Sequence, residues 1–125
     1  MTEINLPEIQ TRFTRMMGCK YPIIAAPMFL VSNVALVAAS SNAGGLGATP
    51  SLNWRTTEQF DAALTEIEQA TSGAYGINLI VNKSNLRLDE DLAVIVKHKV
   101  PLVITSFGNP QRVIDAVHSY GGKVF

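Results

Sequence analysis

Residues 75–107, YGINLIVNKSNLRLDEDLAVIVKHKVPLVITSF, contain two apolar runs, 75–81 and 102–107, on either side of a helix-like segment. Each run is too short for a helix and lacks strict polar alternation, which is typical of a strand buried on both faces of a parallel sheet. Between the runs, acids at 89–91 and bases at 97–99 match the two ends of a helix dipole. The segment therefore predicts one β-strand, α-helix, β-strand unit.

The same unit repeats toward both ends of the chain. Strand-like runs also occupy residues 22–26, 46–48 and 123–125, and the strand midpoints recur roughly every twenty to thirty residues. This spacing is the size of one right-handed βα unit, and no antiparallel hairpin signal interrupts it. The repeat suits either a barrel or a doubly wound sheet. A complete eight-unit barrel needs about 250 residues, so the 125 residues present supply four units and the start of a fifth strand.

Capping residues predict where the helices begin and end. Ser32 is the expected N-cap of a well-buried helix that stops at the glycine pair 44–45. Thr56 is expected to begin an amphipathic helix, and Asn109, followed by proline, to begin another. A short leading helix over residues 6–17 either plugs the floor of a barrel or is a frayed terminal helix.

Composition excludes several classes of function. Ten basic and ten acidic residues give a formal charge of zero, and no Lys/Arg stripe occurs, so we expect no nucleic-acid partner. Cys19 is the only cysteine, which excludes an internal disulfide and agrees with a reducing compartment. The amino terminus lacks a signal-peptide pattern, and no apolar stretch reaches the ~20 residues that span a bilayer. We therefore expect a cytoplasmic protein that does not enter a membrane.

Ligands of parallel α/β folds lie beyond the carboxyl ends of the strands, so residues that follow a strand are the candidates for a site. Ala26, Pro27 and Met28 follow the first strand. Pro27 ends the strand pairing and turns the chain, which is expected to leave the Met28 amide free to donate to a ligand. A simple strand-ending turn is the alternative interpretation.

Asn78 lies in the middle of a buried apolar run. A buried amide that lacks hydrogen bonds costs about 1–3 kcal/mol, so this side chain must have partners. It either joins neighbouring strands or offers its donor and acceptor to the edge of a heterocyclic ligand. Gly76 removes a side chain close by, where a bulky group has room to approach.

Other polar segments are weaker candidates. Residues 44–47, GGLG, precede a strand instead of opening a helix, so we interpret them as a helix stop with tight packing, not a phosphate loop. Residues 105–109 lead into a helix and either face a ligand or cap that helix. His98 and His118 are expected on the outer helical layer, and no metal-binding or serine-nucleophile motif occurs.

Three motifs in register resemble the nitronate monooxygenase family, formerly called 2-nitropropane dioxygenases. They are residues 21–28, YPIIAAPM, residues 41–47, SNAGGLG, and residues 76–79, GINL. The resemblance runs from about Thr11 to the end of the chain, as the N-terminal half of the family's sequence. Flavin-dependent enoyl-acyl-carrier-protein reductases share much of the pattern.

The resemblance implies a TIM barrel with FMN at its C-terminal face. The expected fold is then α/β, a partial (β/α)8 barrel of about four βα units plus the start of a fifth strand, in one domain over residues 1–125. Ala26, Pro27 and Met28 would lie along the isoalloxazine ring, and Asn78 would hydrogen-bond the polar edge of that ring. No metal is implied.

The reaction that the resemblance implies is oxidation of an alkyl nitronate by dioxygen to a carbonyl compound and nitrite. In the family a histidine in a Gly-Gly-His stretch assists, and this stretch, like the loops that hold the FMN phosphate, would lie beyond Phe125. We therefore expect the 125-residue chain to be inactive alone. The alternatives are reduction of an enoyl thioester by NAD(P)H through FMN, and a non-catalytic half-barrel that pairs with itself or with a missing C-terminal half.

Overall fold

The computed structural model describes Ile4 and residues 7–125, in which helices alternate with strands. The strands are β1 Ile24–Ala25, β2 Leu46–Pro50, β3 Tyr75–Ile80, β4 Leu102–Ser106 and β5 Lys123–Val124. The helices are α1 Arg12–Met17, α2 Val34–Asn42, α3 Thr57–Ala70, α4 Leu88–His98 and α5 Gln111–His118, with a 3-10 turn over Ser51–Asn53. All five predicted strands are confirmed. The leading helix begins at Arg12, and residue 6, where its prediction began, lies outside the described residues.

The strands form one sheet in the order β1-β2-β3-β4-β5, and every pairing is parallel. A doubly wound sheet reverses its strand order at a switch point, so later strands lie on both sides of the first. The sequential order seen here is that of a singly wound sheet, and it confirms the partial TIM barrel. Among the described strands, β1 and β5 each have one neighbour. Pairing of these edges with another chain stays a prediction.

The two faces of the sheet have different partners. The outer face carries Ile77 and Leu79, which pack with Phe60 of α3 in the larger hydrophobic cluster under the helices. On the inner face, Met17 of α1 packs against Leu46, Ala48 and Leu102. Leu46 and Leu102 are the first residues of their strands, so α1 covers the amino-terminal end of the sheet. The interpretation of the leading helix as a plug of the barrel floor is confirmed.

The start of α2 differs from its prediction. Asn33 is the N-cap, because its Oδ1 accepts a hydrogen bond from the Leu36 amide at 2.9 Å. Ser32 was expected in that role, but its hydroxyl is engaged in the preceding loop. The expectation of a well-buried helix holds only for one face, since Ala35 and Ala39 are exposed.

The other predicted caps agree better. Thr56 caps α3 and accepts from the Gln59 amide at 3.2 Å. Helix α5 begins at Gln111, and Asn109 Oδ1 accepts from the Gln111 amide at 2.9 Å. The N-cap residue is Pro110, one position after the predicted Asn109, but the Asn109 side chain does bind a free amide at the start of the helix.

The glycine segment 44–47 confirms its interpretation as a helix stop with tight packing. Gly44 has φ +101°, a conformation that L side chains rarely adopt, just after α2 ends. Gly47 in β2 lies so close to α2 that a Cβ built on it would be 2.3 Å from the carbonyl oxygen of Val37. The glycine therefore sets the distance between this strand and its helix.

Candidate functional site

A cavity of about 280 Å³ opens at the carboxyl ends of β2 and β3. Pro50 and Ile80 are the last residues of these strands, so the cavity lies where parallel α/β folds bind their ligands. The β1–α2 loop and the 3-10 turn supply further walls. The lining residues are Pro27, Phe29, Pro50, Leu52, Asn78 and Ile80. None of them is titratable, and Asn78 contributes the one polar side chain.

Asn78 is half-buried and joins two strands. Its Nδ2 donates to the Ile104 carbonyl oxygen at 2.9 Å and to Ser106 Oγ at 3.2 Å, both on β4. Because a carbonyl oxygen can only accept, the Ile104 contact fixes which end of the amide is the donor. No described residue donates to Asn78 Oδ1. The amide therefore holds β3 to β4 through its nitrogen, while its oxygen has no hydrogen-bond donor among the described residues.

The β1–α2 loop, residues 26–33, is closed by the buried Ser32. The Ser32 hydroxyl donates to the Ala26 carbonyl oxygen at 3.1 Å and accepts from the Met28 amide at 2.8 Å. The expectation that the Met28 amide is free to donate to a ligand is therefore wrong. Pro27 does turn the chain as predicted, but the hydroxyl four residues after Met28 reaches back to its amide.

A profile of the nitronate monooxygenase family matches residues 10–90. The chain belongs to the nitronate monooxygenase family. It is similar to the nitronate monooxygenase of Pseudomonas aeruginosa, with 42% identity over 72 residues, which is 58% of this chain and 20% of that protein. The chain is thus a family member whose matched segment covers a fifth of this curated relative, and it resembles an oxidoreductase in sequence.

Two further matches extend over almost the whole chain. A (3aS,4S,5R,7aS)-5-hydroxy-7a-methyl-1-oxo-octahydro-1H-indene-4-carboxyl-CoA dehydrogenase of Mycobacterium tuberculosis is 32% identical over 116 residues, covering 93% of this chain and 32% of that protein. The solved structure of FabK from Thermotoga maritima superposes with a TM-score of 0.85 at 31% identity, covering 93% of this chain and 36% of that one. The fold of the FabK structure is therefore shared over nearly the whole of this chain.

The structure brings together two of the four site residues predicted from the family resemblance. Pro27 and Asn78 both line the cavity. Ala26 and Met28 lie on either side of Pro27, are exposed, and are not among the residues that line it. The contribution of the β1–α2 loop to the cavity comes instead from Pro27 and Phe29.

Four cavity residues were missed by sequence reasoning. For Pro50 a signal existed, since residues at the carboxyl end of each strand were being searched, but β2 was predicted to end at residue 48 and extends to Pro50. Phe29 and Leu52 lie in loops, where no apolar periodicity marks them. The missed residues are Phe29, Pro50, Leu52 and Ile80.

The polar residues that end β4 make contacts within the protein. Ser106 Oγ accepts from Asn78, and Thr105 Oγ1 donates to the Phe125 carbonyl oxygen at 3.2 Å. Gly76, where room for a bulky group was expected, faces other side chains, because a Cβ there would be 3.4 Å from Ala48 and Leu102. The bulky groups that approach this glycine include the side chains of Leu46 and Leu102 on the inner face.

His98 lies on the outer helical layer, as predicted. Its Nε2 is 2.5 Å from Asp61 Oδ1, and its Nδ1 is 3.1 Å from Glu68 Oε1, so it joins α4 to α3. The pKa of the Asp61 carboxyl is lowered mainly by the hydrogen bond from Lys97 and, to a smaller extent, by the one from His98. His118 is exposed at the end of α5. In the described part of the chain, no group of three or more His, Cys, Asp or Glu residues has an arrangement suited to a metal ion.

No helix within the described residues is both long enough and apolar enough to cross a membrane.

Ser51, which follows the cavity residue Pro50, has a buried hydroxyl for which no described residue is a hydrogen-bond partner. We expect Ser51→Ala to raise the free energy of unfolding by about 1 kcal/mol, because it removes an unsatisfied buried polar group. Urea unfolding followed by circular dichroism measures the change. Ser41→Ala is the control, since Ser41 Oγ donates to Ala74 and accepts from Gly47. Equal destabilisation by both substitutions would contradict the prediction.

Proposed function

We propose that this chain forms the flavin-ring site of an enzyme that oxidises alkyl nitronates with dioxygen through FMN, giving a carbonyl compound and nitrite. The observation that carries the proposal is the cavity at the carboxyl ends of β2 and β3, with apolar walls and one amide acceptor. The family membership supplies the reaction. The chain matches only 20% and 32% of the lengths of the two curated relatives described above, so the activity of the whole enzyme is a proposal for this chain.

The residues of the cavity suit the ring of a flavin better than its phosphate. The cavity volume of about 280 Å³ is close to the lower end of the range for ligand pockets, about 300–1,000 Å³. Prolines, Phe29 and Leu52 offer flat apolar walls, and no basic side chain lines the space. We therefore infer that these six residues hold the isoalloxazine ring and that the phosphate is bound elsewhere.

Each side chain has a defined part in this arrangement. Pro27, Phe29 and Leu52 exclude water from the ring, and Asn78 Oδ1 orients it by accepting a hydrogen bond from a ring N–H. FMN, when bound, would accept electrons from the nitronate and pass them to dioxygen. Because no cavity residue is titratable, these residues bind and orient but move no proton. The Gly-Gly-His stretch that the family uses for that step does not occur in this sequence.

Titration of FMN into the purified chain tests the site, with quenching of flavin fluorescence as the readout. We expect the wild-type chain to bind and Asn78→Ala to bind about 3–10-fold more weakly, the equivalent of one hydrogen bond. Asn78→Ala also removes the donor to Ile104, so we expect a lower melting temperature, and binding is measured well below it.

Asn42→Ala is the matched control for this titration. Asn42 Nδ2, like that of Asn78, donates to a backbone carbonyl oxygen of another segment, here that of Ala70. Its Oδ1, however, accepts from Thr71 Oγ1, and the residue lies at the end of α2, outside the cavity. We expect unchanged FMN affinity in this variant. An unaltered affinity in Asn78→Ala, or no quenching by the wild-type chain, would contradict the proposed site.

A second candidate reaction is the reduction of an enoyl thioester by NAD(P)H through FMN. The observation that favours it is the dehydrogenase of Mycobacterium tuberculosis, named for a carboxyl-CoA compound, which matches 93% of this chain. The two reactions can be separated by mixing the FMN-loaded chain with each electron donor in the absence of dioxygen. An alkyl nitronate should bleach the flavin absorbance if the first proposal holds, and NAD(P)H should bleach it if the second holds. Bleaching by NAD(P)H and not by an alkyl nitronate would replace the first proposal by the second.

A further inference from the structure

Asn53 lies at the end of the 3-10 turn and uses both ends of its amide to hold the β1–α2 loop. Its Oδ1 accepts from the Leu30 amide at 2.8 Å. Its Nδ2 donates to the Ser32 carbonyl oxygen at 2.9 Å and to Thr49 Oγ1 at 3.1 Å. Two of these contacts join segments more than 20 residues apart. One side chain therefore fastens the loop after β1 to the turn after β2.

The loop that Asn53 holds contains a strained residue. Leu30 has φ +62°, in the left-handed region that costs free energy for a residue with a Cβ. Its side chain is 72% exposed, so burial does not offset this cost. The hydrogen bond from its amide to Asn53 is the contact with another segment that stabilises this conformation.

The two segments that Asn53 joins both carry residues that line the cavity. Phe29 and Pro27 belong to the β1–α2 loop, whereas Leu52 precedes Asn53 in the turn. The far side of the turn is anchored as well, because Arg87 Nη1 donates to the Trp54 carbonyl oxygen at 2.6 Å. The turn is therefore a fixed support. Thr49 Oγ1 of β2 also donates to the Ser32 carbonyl oxygen, at 2.6 Å, so the part of the loop that Asn53 alone holds is the segment at Leu30.

We propose that Asn53 is a positioning residue of the flavin site, which holds the β1–α2 loop so that Pro27 and Phe29 face Leu52 across the width of a planar ring. Asn53 is not among the residues that line the cavity and acts through the backbone of Leu30 and Ser32. The proposal rests on the proposed function for the identity of the ligand. The attachment of the loop by Asn53 does not depend on any ligand.

Amide hydrogen exchange and FMN titration of the same variants test the proposal. In Asn53→Ala we expect the Leu30 amide to exchange at least about tenfold faster without ligand, because its acceptor is lost. We expect FMN affinity to fall by about tenfold, since the loop wall is no longer held in place. Asn53→Asp retains an acceptor for the Leu30 amide but not the donor to Ser32, so its exchange should lie closer to that of the wild type.

Asn33→Ala is the matched control, because Asn33 lies at the end of the same loop but caps α2 and holds no part of residues 26–32 through its side chain. It should lower the melting temperature while leaving Leu30 exchange and FMN affinity near the wild-type values. Unchanged Leu30 exchange in Asn53→Ala, or an equal loss of FMN affinity in Asn33→Ala, would overturn the proposal. If the wild-type chain binds no FMN, the flavin site fails, and faster Leu30 exchange still establishes the positioning of the loop.

Discussion

Gly47→Ala is expected to lower the free energy of unfolding by about 3 kcal/mol, at the upper end of the usual cost of overpacking. The added Cβ would lie 2.3 Å from the Val37 carbonyl oxygen and 2.6 Å from its Cα, both backbone atoms of α2. Relief requires α2 to move away from β2. That movement also strains Ser41, which bridges the Gly47 amide and the Ala74 carbonyl oxygen through its hydroxyl.

Gly76→Ala is the control for this prediction, because it changes the neighbouring strand in the same way. A Cβ at Gly76 meets side chains at 3.4 Å, which is ordinary van der Waals contact. We expect this variant to change stability by less than about 1 kcal/mol. Urea denaturation of both variants gives the comparison, and equal stability losses would mean that the contact between α2 and β2 does not limit the size of residue 47.

Arg87→Ala is expected to lower the free energy of unfolding by about 3 kcal/mol, because it leaves a buried carboxylate without its cation. Asp91 is fully buried, and Arg87 Nη2 contacts its two carboxylate oxygens at 2.9 and 3.0 Å. The substitution also removes the donor to the Trp54 carbonyl oxygen, so the turn that carries Leu52 loses its anchor. We therefore expect weaker FMN binding in addition to the loss of stability.

The matched control is Arg112→Ala, which breaks the exposed ion pair between Arg112 and Asp89. The side chains of this pair are 64% and 70% exposed, and such pairs contribute about 0–1 kcal/mol. Thermal melting of the two variants at one salt concentration compares a buried pair with an exposed one. A melting temperature for Arg87→Ala as high as that of Arg112→Ala would show that Asp91 is stabilised by other groups, such as Thr57.

The strands were predictable because each of them is a short apolar run between helix-ending and helix-starting residues, and these signals act within a few residues. Thr56 and the glycine segment 44–47 behave in the structure as their local chemistry predicts. Asn78 was also recognisable as a polar residue that needs partners inside a strand. The sequence did not reveal that its nitrogen contacts Ile104 and Ser106, because these residues follow it by 26 and 28 positions.

The failed predictions concern groups with a choice of partners. Ser32 is a good N-cap residue, yet its hydroxyl binds the Met28 amide and the Ala26 carbonyl oxygen, and Asn33 takes its place as cap. The Met28 amide was expected to be free, but it donates to this same Ser32 hydroxyl. Asp91 does lie in the first turn of α4, as the acidic helix start predicted, but the sequence did not reveal that it is buried against Arg87.

The sequence alone was sufficient to predict the repeating βα units and most of the helix ends, and three motifs in it indicated the family. These features depend on the chain's local apolar periodicity and backbone preferences, so they can be read without knowing which segments meet. The direction in which the sheet winds, the cavity between Pro27, Pro50 and Asn78, and the attachment of the β1–α2 loop by Asn53 required the folded chain. Each of them depends on contacts between residues distant in sequence, which are brought together where β1, β2 and β3 lie side by side.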